Sequence, residues 1–249
     1  ENADFIVGIG GGSPQDAAKV IAIFAANELK PEQVFEQNWE NPALPVVVVG
    51  TTAGTGSEVT PFAVMTQENG VKRSVGHPQC FPRIAFGDAK YTATLSLPFT
   101  LSTALDALSH AVEGYFCSDA TEISDLFAKE AIKVLTTVLS QLDKDSTDPS
   151  SVTLSQREQL YYGSILAGFT LSYCGTTYCH SLGYFLSEDH QVPHGAACAV
   201  FLPGFISRQV GYLPKKAEIL FEYIGLDKNE LVSLITLLRP EISATLTGE

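Results

Sequence analysis

Basic residues are scarce in this chain. Fifteen Lys and Arg face 28 Asp and Glu, a formal net charge of −13. No stretch gathers Lys or Arg into a block, and phosphate backbones are held by such clusters, so a nucleic-acid partner is not expected. Long apolar runs are also missing. The longest, such as VIAIFAA, fall far short of the ~20 residues of a membrane helix, so no membrane association is expected. The opening residues, ENADFIVGIGGG, lack a basic leader and a signal-type apolar segment and read as the run-up to a strand. Internal repeats and low-complexity tracts are absent. Cysteine is sparse and odd in number, five in 249 residues, with no CxxC pair. Cys80, Cys117, Cys174, Cys179 and Cys198 therefore read as buried free thiols of a reducing, cytoplasmic compartment. Cys179 and Cys198 fall close in sequence to the candidate metal ligands below, but the simpler reading is two small core residues.

What is present is an ordinary globular composition. Hydrophobic residues make up 45% and charged residues 17%, enough for one large domain or two small ones. The first part alternates in the α/β manner. Phe5–Ile9 is a short apolar strand ending in glycines, Pro14–Asn27 has helical periodicity, and PVVVV (Pro45–Val49) suits a strand buried on both faces of a parallel sheet. Phe62–Thr66 and Ile84–Phe86 are weaker strand candidates, and His77–Pro82 reads as loop. After about Leu95 the texture turns helical: Thr100–Tyr115, Glu122–Leu142, Ser155–Tyr173, Thr176–Leu186 and Gly195–Gln209, with a polar turn at Asp143–Ser151. The expected organisation is an α/β unit over residues 1–95 and an all-α unit over 96–249.

The first strand runs into GIGGGSPQDAAK. Ser13 suits an N-cap, Pro14 the first helical position and Asp16 a capping-box acid. A helix starting there offers free N–H groups and its positive dipole end to a pyrophosphate. Read alone, the turn is equally an unliganded strand–helix connection. The second strand runs into TTAGTGSEVT, with four threonines, a serine and two glycines in ten residues. Small hydroxyl side chains at a strand's carboxyl end suit the cofactor crevice of an open α/β sheet, although a plain hydroxyl-rich loop would look the same.

Asp106 and His110 stand one helical turn apart in TALDALSHAVEGY, so both face one way. Asp106, His110 and Glu113 could form a surface stripe, but their neighbours are apolar nearly all round, which predicts a buried helix. A buried Asp needs a partner. His180 and His194 follow in CHSLGYFLSEDHQVPHG. One carboxylate and three imidazoles suit a divalent transition metal, and a pair of satisfied core histidines remains the alternative.

Together, GIGGGSPQDAAK, TTAGTGSEVTPFAV, LDALSHAVEGY and the CHSLGY…PHG stretch resemble the iron-containing (group III) alcohol dehydrogenases, over residues 1 to about 205. The resemblance implies a dehydroquinate synthase-like architecture: an α/β dinucleotide-binding, Rossmann-like domain followed by an all-α domain, with the active site in the cleft between them. It places metal ligands on Asp106, His110, His180 and His194, with Fe²⁺ first and Zn²⁺ also compatible. It places NAD or NADP contacts on Gly11, Gly12, Ser13, Asp16, Thr51, Thr52, Thr55 and Lys72. It implies reversible reduction of a small aldehyde or ketone to the alcohol in a homodimer, with Tyr184 and His190 as candidate proton-relay groups. Several positions depart from the family pattern: Tyr184 stands where many members have a histidine, Ala104 where a glycine is usual, and Ala89 where the strand-end Asp is usually followed by proline. The family's opening βαβ unit would fall before residue 1 and several C-terminal helices after Gly225, so Phe5–Ile9 is expected to lack an inner partner strand. Glycerol dehydrogenase-like and dehydroquinate synthase-like enzymes share this fold, and a truncated, non-catalytic remnant is a third reading.

Overall fold

The computed structural model describes residues 3–67, 70–146 and 148–238. Strand β1 (Ile6–Gly10) leads into helix α1 (Gly12–Ala26), which returns the chain to β2 (Val46–Gly50). β1 and β2 pair in parallel, and β2 pairs in parallel with β5 (Ile84–Gly87), so the sheet order is β1-β2-β5. All three strands end on a glycine at the same edge: Gly10, Gly50 and Gly87. Helix α1 covers one face of the sheet through Ala18 and Ala22, which pack on Ile6, Val46 and Val48.

The central strand was expected to be buried on both faces, but only Val46, Val48 and Gly50 are fully buried, with Val47 and Val49 half-buried, and its neighbours are more exposed still. Val7 and Ile9 of β1 are 48% and 65% exposed, and Phe86 of β5 is 56% exposed. Among the described residues β1 is an edge strand with one partner, as its isolation in the sequence suggested. An antiparallel hairpin, β3 (Phe62–Thr66) and β4 (Lys72–Gly76), packs beside α1 through Ala63 and Val75. β4 escaped the sequence reading because KRSVG turns only Val75 fully inward.

From Leu97 onward the described chain is helical: α2 (Leu97–Tyr115), α3 (Glu122–Leu139), α4 (Leu154–Cys174), α5 (Tyr178–Asp189), α6 (His194–Tyr212), α7 (Pro214–Ile224) and α8 (Lys228–Leu237). Helix α2 is the hub, packed against α3, α4, α5 and α6. Every residue from Ala104 to Phe116 is buried, as the all-round apolar pattern predicted. The sequence reading stopped short of α7 and α8. Both carry ordinary signals: Ala217, Leu220 and Ile224 at helical spacing with Gly225 left-handed after them, and Asp227 capping the N–H groups of Asn229 and Glu230.

One buried cation pins the α/β part to the helices. Arg157 of α4 is 2% exposed and has no carboxylate in hydrogen-bond reach. Its guanidinium donates instead to the carbonyls of Thr92 (2.6 Å), Leu95 (3.0 Å) and Pro149 (2.8 Å). Two of these acceptors lie in the segment between β5 and α2, so the planar fork sets where α2 begins. Arg157→Met should leave those carbonyls unpaired and destabilise the fold by about 2–4 kcal/mol. Arg157→Lys, a single ammonium in place of the fork, should recover less than half of that loss. Urea unfolding midpoints check both, and an unchanged midpoint for the Met variant refutes the pin.

Candidate active site

The carboxyl edge of the sheet carries the glycine turn expected there, with its capping details corrected. Helix α1 starts at Gly12, its N-cap is Gly11, and no side chain caps it. Ser13 and Pro14 are thus the second and third helical residues, neither N-cap nor first position. Asp16 is no capping-box acid. Its carboxylate reaches across to the hydroxyl loop, accepting from Ser57 Oγ at 2.6 Å and from the Val64 N–H at 2.9 Å. The helix N-terminus consequently keeps its N–H groups free of side-chain acceptors, as an anion-binding turn requires. Gly10 adopts φ +147°, a conformation side chains rarely reach. Gly11 and Gly12 lie directly against Thr52 and Thr55: a Cβ would stand 3.0 Å and 2.7 Å from those side chains. The two loops therefore form one wall, with Thr51 half-buried beside them.

The same wall rests on α2. A Cβ on Gly54 would meet the Thr103 carbonyl at 2.7 Å, and one on Gly195 would meet the Ser102 carbonyl at 1.9 Å and Asp106 Cβ at 2.7 Å. The hydroxyl loop and the start of α6 thus both press on the α2 segment that ends at Asp106.

Asp106, His110, His180 and His194 come together. His180 Nε2, His194 Nε2 and His110 Nε2 stand 3.5, 3.8 and 3.9 Å from one atom, Asp106 Oδ1. Donors held at 2.0–2.2 Å around a tetrahedral ion lie roughly 3.4 Å apart, so this spacing suits a cation at the centre. Asp106 Oδ1 and His180 Nε2 are buried and make no hydrogen bond. The His110 and His180 rings stack at 4.5 Å. His194, its side chain 31% exposed, forms the open side of the cluster.

Glu113, two turns after Asp106 on the same face of α2, was read only as part of a stripe. It is fully buried. Its Oε2 bonds His180 Nδ1, and its Oε1 accepts from Thr177 Oγ1 and from the N–H groups of Thr177 (2.9 Å) and Cys179 (3.0 Å). A carboxylate can only accept, so the Nδ1 proton belongs to the imidazole and Nε2 is turned to the centre. Cys198 was read as a core residue, yet its Sγ lies 3.8 Å from His194 Nε2.

The charges favour a cation here. Burial would raise the Asp106 carboxyl, but His110, His180 and His194 outweigh it and hold it well below its usual value. Burial pushes His110 down to about 4, which leaves it a neutral donor. Burial also disfavours charge on His180, but the neighbouring Asp106 and Glu113 carboxylates and the Cys198 sulfur raise it well above its ordinary value.

Tyr184 stacks on the His194 ring at 5.1 Å, and Lys72 Nζ sits 5.4 Å from the Tyr184 ring centroid. Lys72 is also tied to α5 by its N–H, which donates to Glu188 Oε1 at 3.1 Å. Burial pushes the Tyr184 hydroxyl up to about 12. His190 is not brought in: it is exposed at the end of α5, its ring against Phe185.

Known proteins resemble this chain in sequence and fold. Residues 1–89 match the family described as iron-containing alcohol dehydrogenase, and residues 100–238 match the C-terminal part of the Fe-containing alcohol dehydrogenase family. The 1,3-propanediol dehydrogenase of Citrobacter freundii is 35% identical over 228 residues, which is 90% of this chain and 57% of that protein. The NAD-dependent methanol dehydrogenase of Bacillus methanolicus is 35% identical over 205 residues, 82% of this chain and 52% of that protein. The crystal structure of an iron-containing alcohol dehydrogenase from Thermotoga maritima superposes with a TM-score of 0.83 at 36% identity, over 95% of this chain and 64% of that one. The chain spans between half and two thirds of the length of these relatives, and it belongs to the iron-containing alcohol dehydrogenase family.

Proposed function

We propose that this chain carries the active site of a metal-dependent oxidoreductase that moves a hydride between NAD(P)H and a small aldehyde or ketone. The carrying observation is the convergence of three imidazole Nε2 atoms on the unpartnered, buried Asp106 Oδ1. Asp106, His110, His180 and His194 would hold a divalent ion, Fe²⁺ by family and Zn²⁺ by donor chemistry. Such an ion, when bound, supplies Lewis acidity to a substrate oxygen. Glu113 holds the His180 proton at Nδ1 and so keeps Nε2 available. Tyr184, stacked on His194 beneath Lys72, walls the open side. Its hydroxyl keeps its proton at neutral pH, so it can donate a hydrogen bond but does not serve as a base. His190 has no part in this reading.

The free N–H groups at Gly12 and Ser13 would take the pyrophosphate, with Thr51, Thr52 and Thr55 lining the nicotinamide half. Asp16 braces that loop rather than facing the cofactor. NAD is favoured over NADP by the methanol-oxidising relative, whose name specifies it. Residues 1–95 and 96–249 would act as cofactor and metal units. A homodimer, which the family resemblance implies, belongs to the same proposal. A reducing, cytoplasmic setting is supported by five cysteines that form no disulfide.

Aldehyde-dependent NADH oxidation by the metal-loaded protein tests the activity. His194→Ala should lose both metal and turnover while keeping its circular dichroism. Full metal occupancy in that variant, by elemental analysis, removes His194 from the ligand set. Glu113→Gln keeps the volume and removes the charge that orients His180. Metal affinity, measured against a competing chelator, should fall roughly 10–100-fold, and an unchanged affinity would mean that Glu113 only braces the fold. Gly11→Val would place a branched side chain against Thr52 in the cradle wall. NADH affinity should fall at least roughly tenfold, about 1.4 kcal/mol, with metal content unchanged. Equal NADH titrations would move the cofactor elsewhere.

A further inference from the structure

Cys198 lies on α6 one turn after His194 and is fully buried. Core thiols ordinarily sit among apolar side chains. This one faces imidazoles. Its Sγ is 3.9 Å from His194 Nδ1 and 3.8 Å from Nε2. One donor atom each from Asp106, His180, His194 and Cys198 all lie within 4.8 Å of one another. Gly183, nearly one turn after His180, makes room for the sulfur, since a Cβ there would stand 2.7 Å from Sγ. The sulfur therefore borders a donor set in which Asp106 Oδ1 and His180 Nε2, both more than nine-tenths buried, have no hydrogen-bond partner.

Resting on the metal-centre reading above, we propose that Cys198 adds a sulfur donor to this centre and sets its metal preference. The thiol proton leaves to solvent as the sulfur–metal bond forms, and no other bond changes. A thiolate is a soft ligand and favours Zn²⁺ and Co²⁺ over hard ions such as Mn²⁺, whereas carboxylate and imidazole alone discriminate less. His110 stacks on His180 at 4.5 Å beside this set of four donors.

Titration of Co²⁺ into the metal-stripped protein tests this by absorption, without reliance on turnover. The wild-type protein should show visible d–d bands together with a near-ultraviolet thiolate-to-cobalt charge-transfer band. Cys198→Ser and Cys198→Ala should keep the d–d bands and lose the charge-transfer band. Zn²⁺ affinity relative to Mn²⁺ should fall roughly tenfold in both variants. Wild-type d–d bands without the charge-transfer band overturn the role of Cys198 and leave the metal centre standing. A charge-transfer band that survives in the variants assigns the sulfur elsewhere and overturns it equally. Absence of d–d bands in the wild-type protein overturns the metal-centre reading and this proposal with it.

Discussion

The structure turns on a carboxylate placed where water cannot reach it. Asp106 is 5% exposed, in a helix whose neighbours along the chain are nearly all apolar. A lone buried carboxylate is strongly unfavourable, so the surrounding fold must bring it partners. Three stretches of chain do so. Helix α2 supplies His110 from the next turn, α5 supplies His180, the start of α6 supplies His194, and Glu113 locks the entry to α5 through Thr177 and Cys179. Gly195 is part of the same solution, because any side chain there would strike the backbone of α2 and lift His194 away. The burial of α2 on every side follows from its need to serve these helices at once.

The cofactor wall depends on a second buried set. Lys19 Nζ donates to Ser57 Oγ (2.7 Å), the Thr60 carbonyl (3.1 Å) and the Phe62 carbonyl (2.7 Å). Burial pulls this ammonium down to about 8. Asp16, one turn earlier, holds Ser57 and the Val64 N–H. Helix α1 thus carries the free N-terminal turn and also fastens the hydroxyl loop against it. Gly54 then seats that loop on Thr103, three residues before Asp106. Rigid backbone contacts, rather than a flexible linker, place the threonine-rich wall next to the Asp106 cluster.

Period and composition carried much of this in the sequence. Buried parallel strands and all-round apolar helices announce themselves, and the DxxxH pair on a buried helix already demanded a partner. What failed shares one cause: local signals that long-range contacts override. Ser13 has an N-cap's chemistry, but the close approach of Gly11 and Gly12 to the threonine loop moves the helix start forward. Asp16 sits at capping-box spacing, yet a serine 41 residues away takes its carboxylate. β4 turns a single residue fully inward, too little for a periodicity argument. Glu113 was visible as an acid on the ligand face, and its buried environment should have marked it as a second carboxylate in need of a partner. Cys198 carried only its nearness in sequence to His194, since a thiol among alanines looks like core until α5 folds His180 against it.

The charge balance of the centre gives the strongest reason to expect a divalent cation. Asp106 and Glu113 are both held below their ordinary values, so each carries a negative charge. His110 and His194 are both driven down by burial and stay neutral, while His180 alone is driven up. Without metal, then, two buried carboxylates share one imidazolium, and the cluster keeps an uncompensated negative charge. Protonating a further histidine would correct the balance, but burial opposes it. A divalent ion held by Asp106, His110, His180 and His194 would supply two positive charges against these two carboxylates. The raised His180 follows from the two carboxylates that flank it, the same charges that a divalent cation would offset.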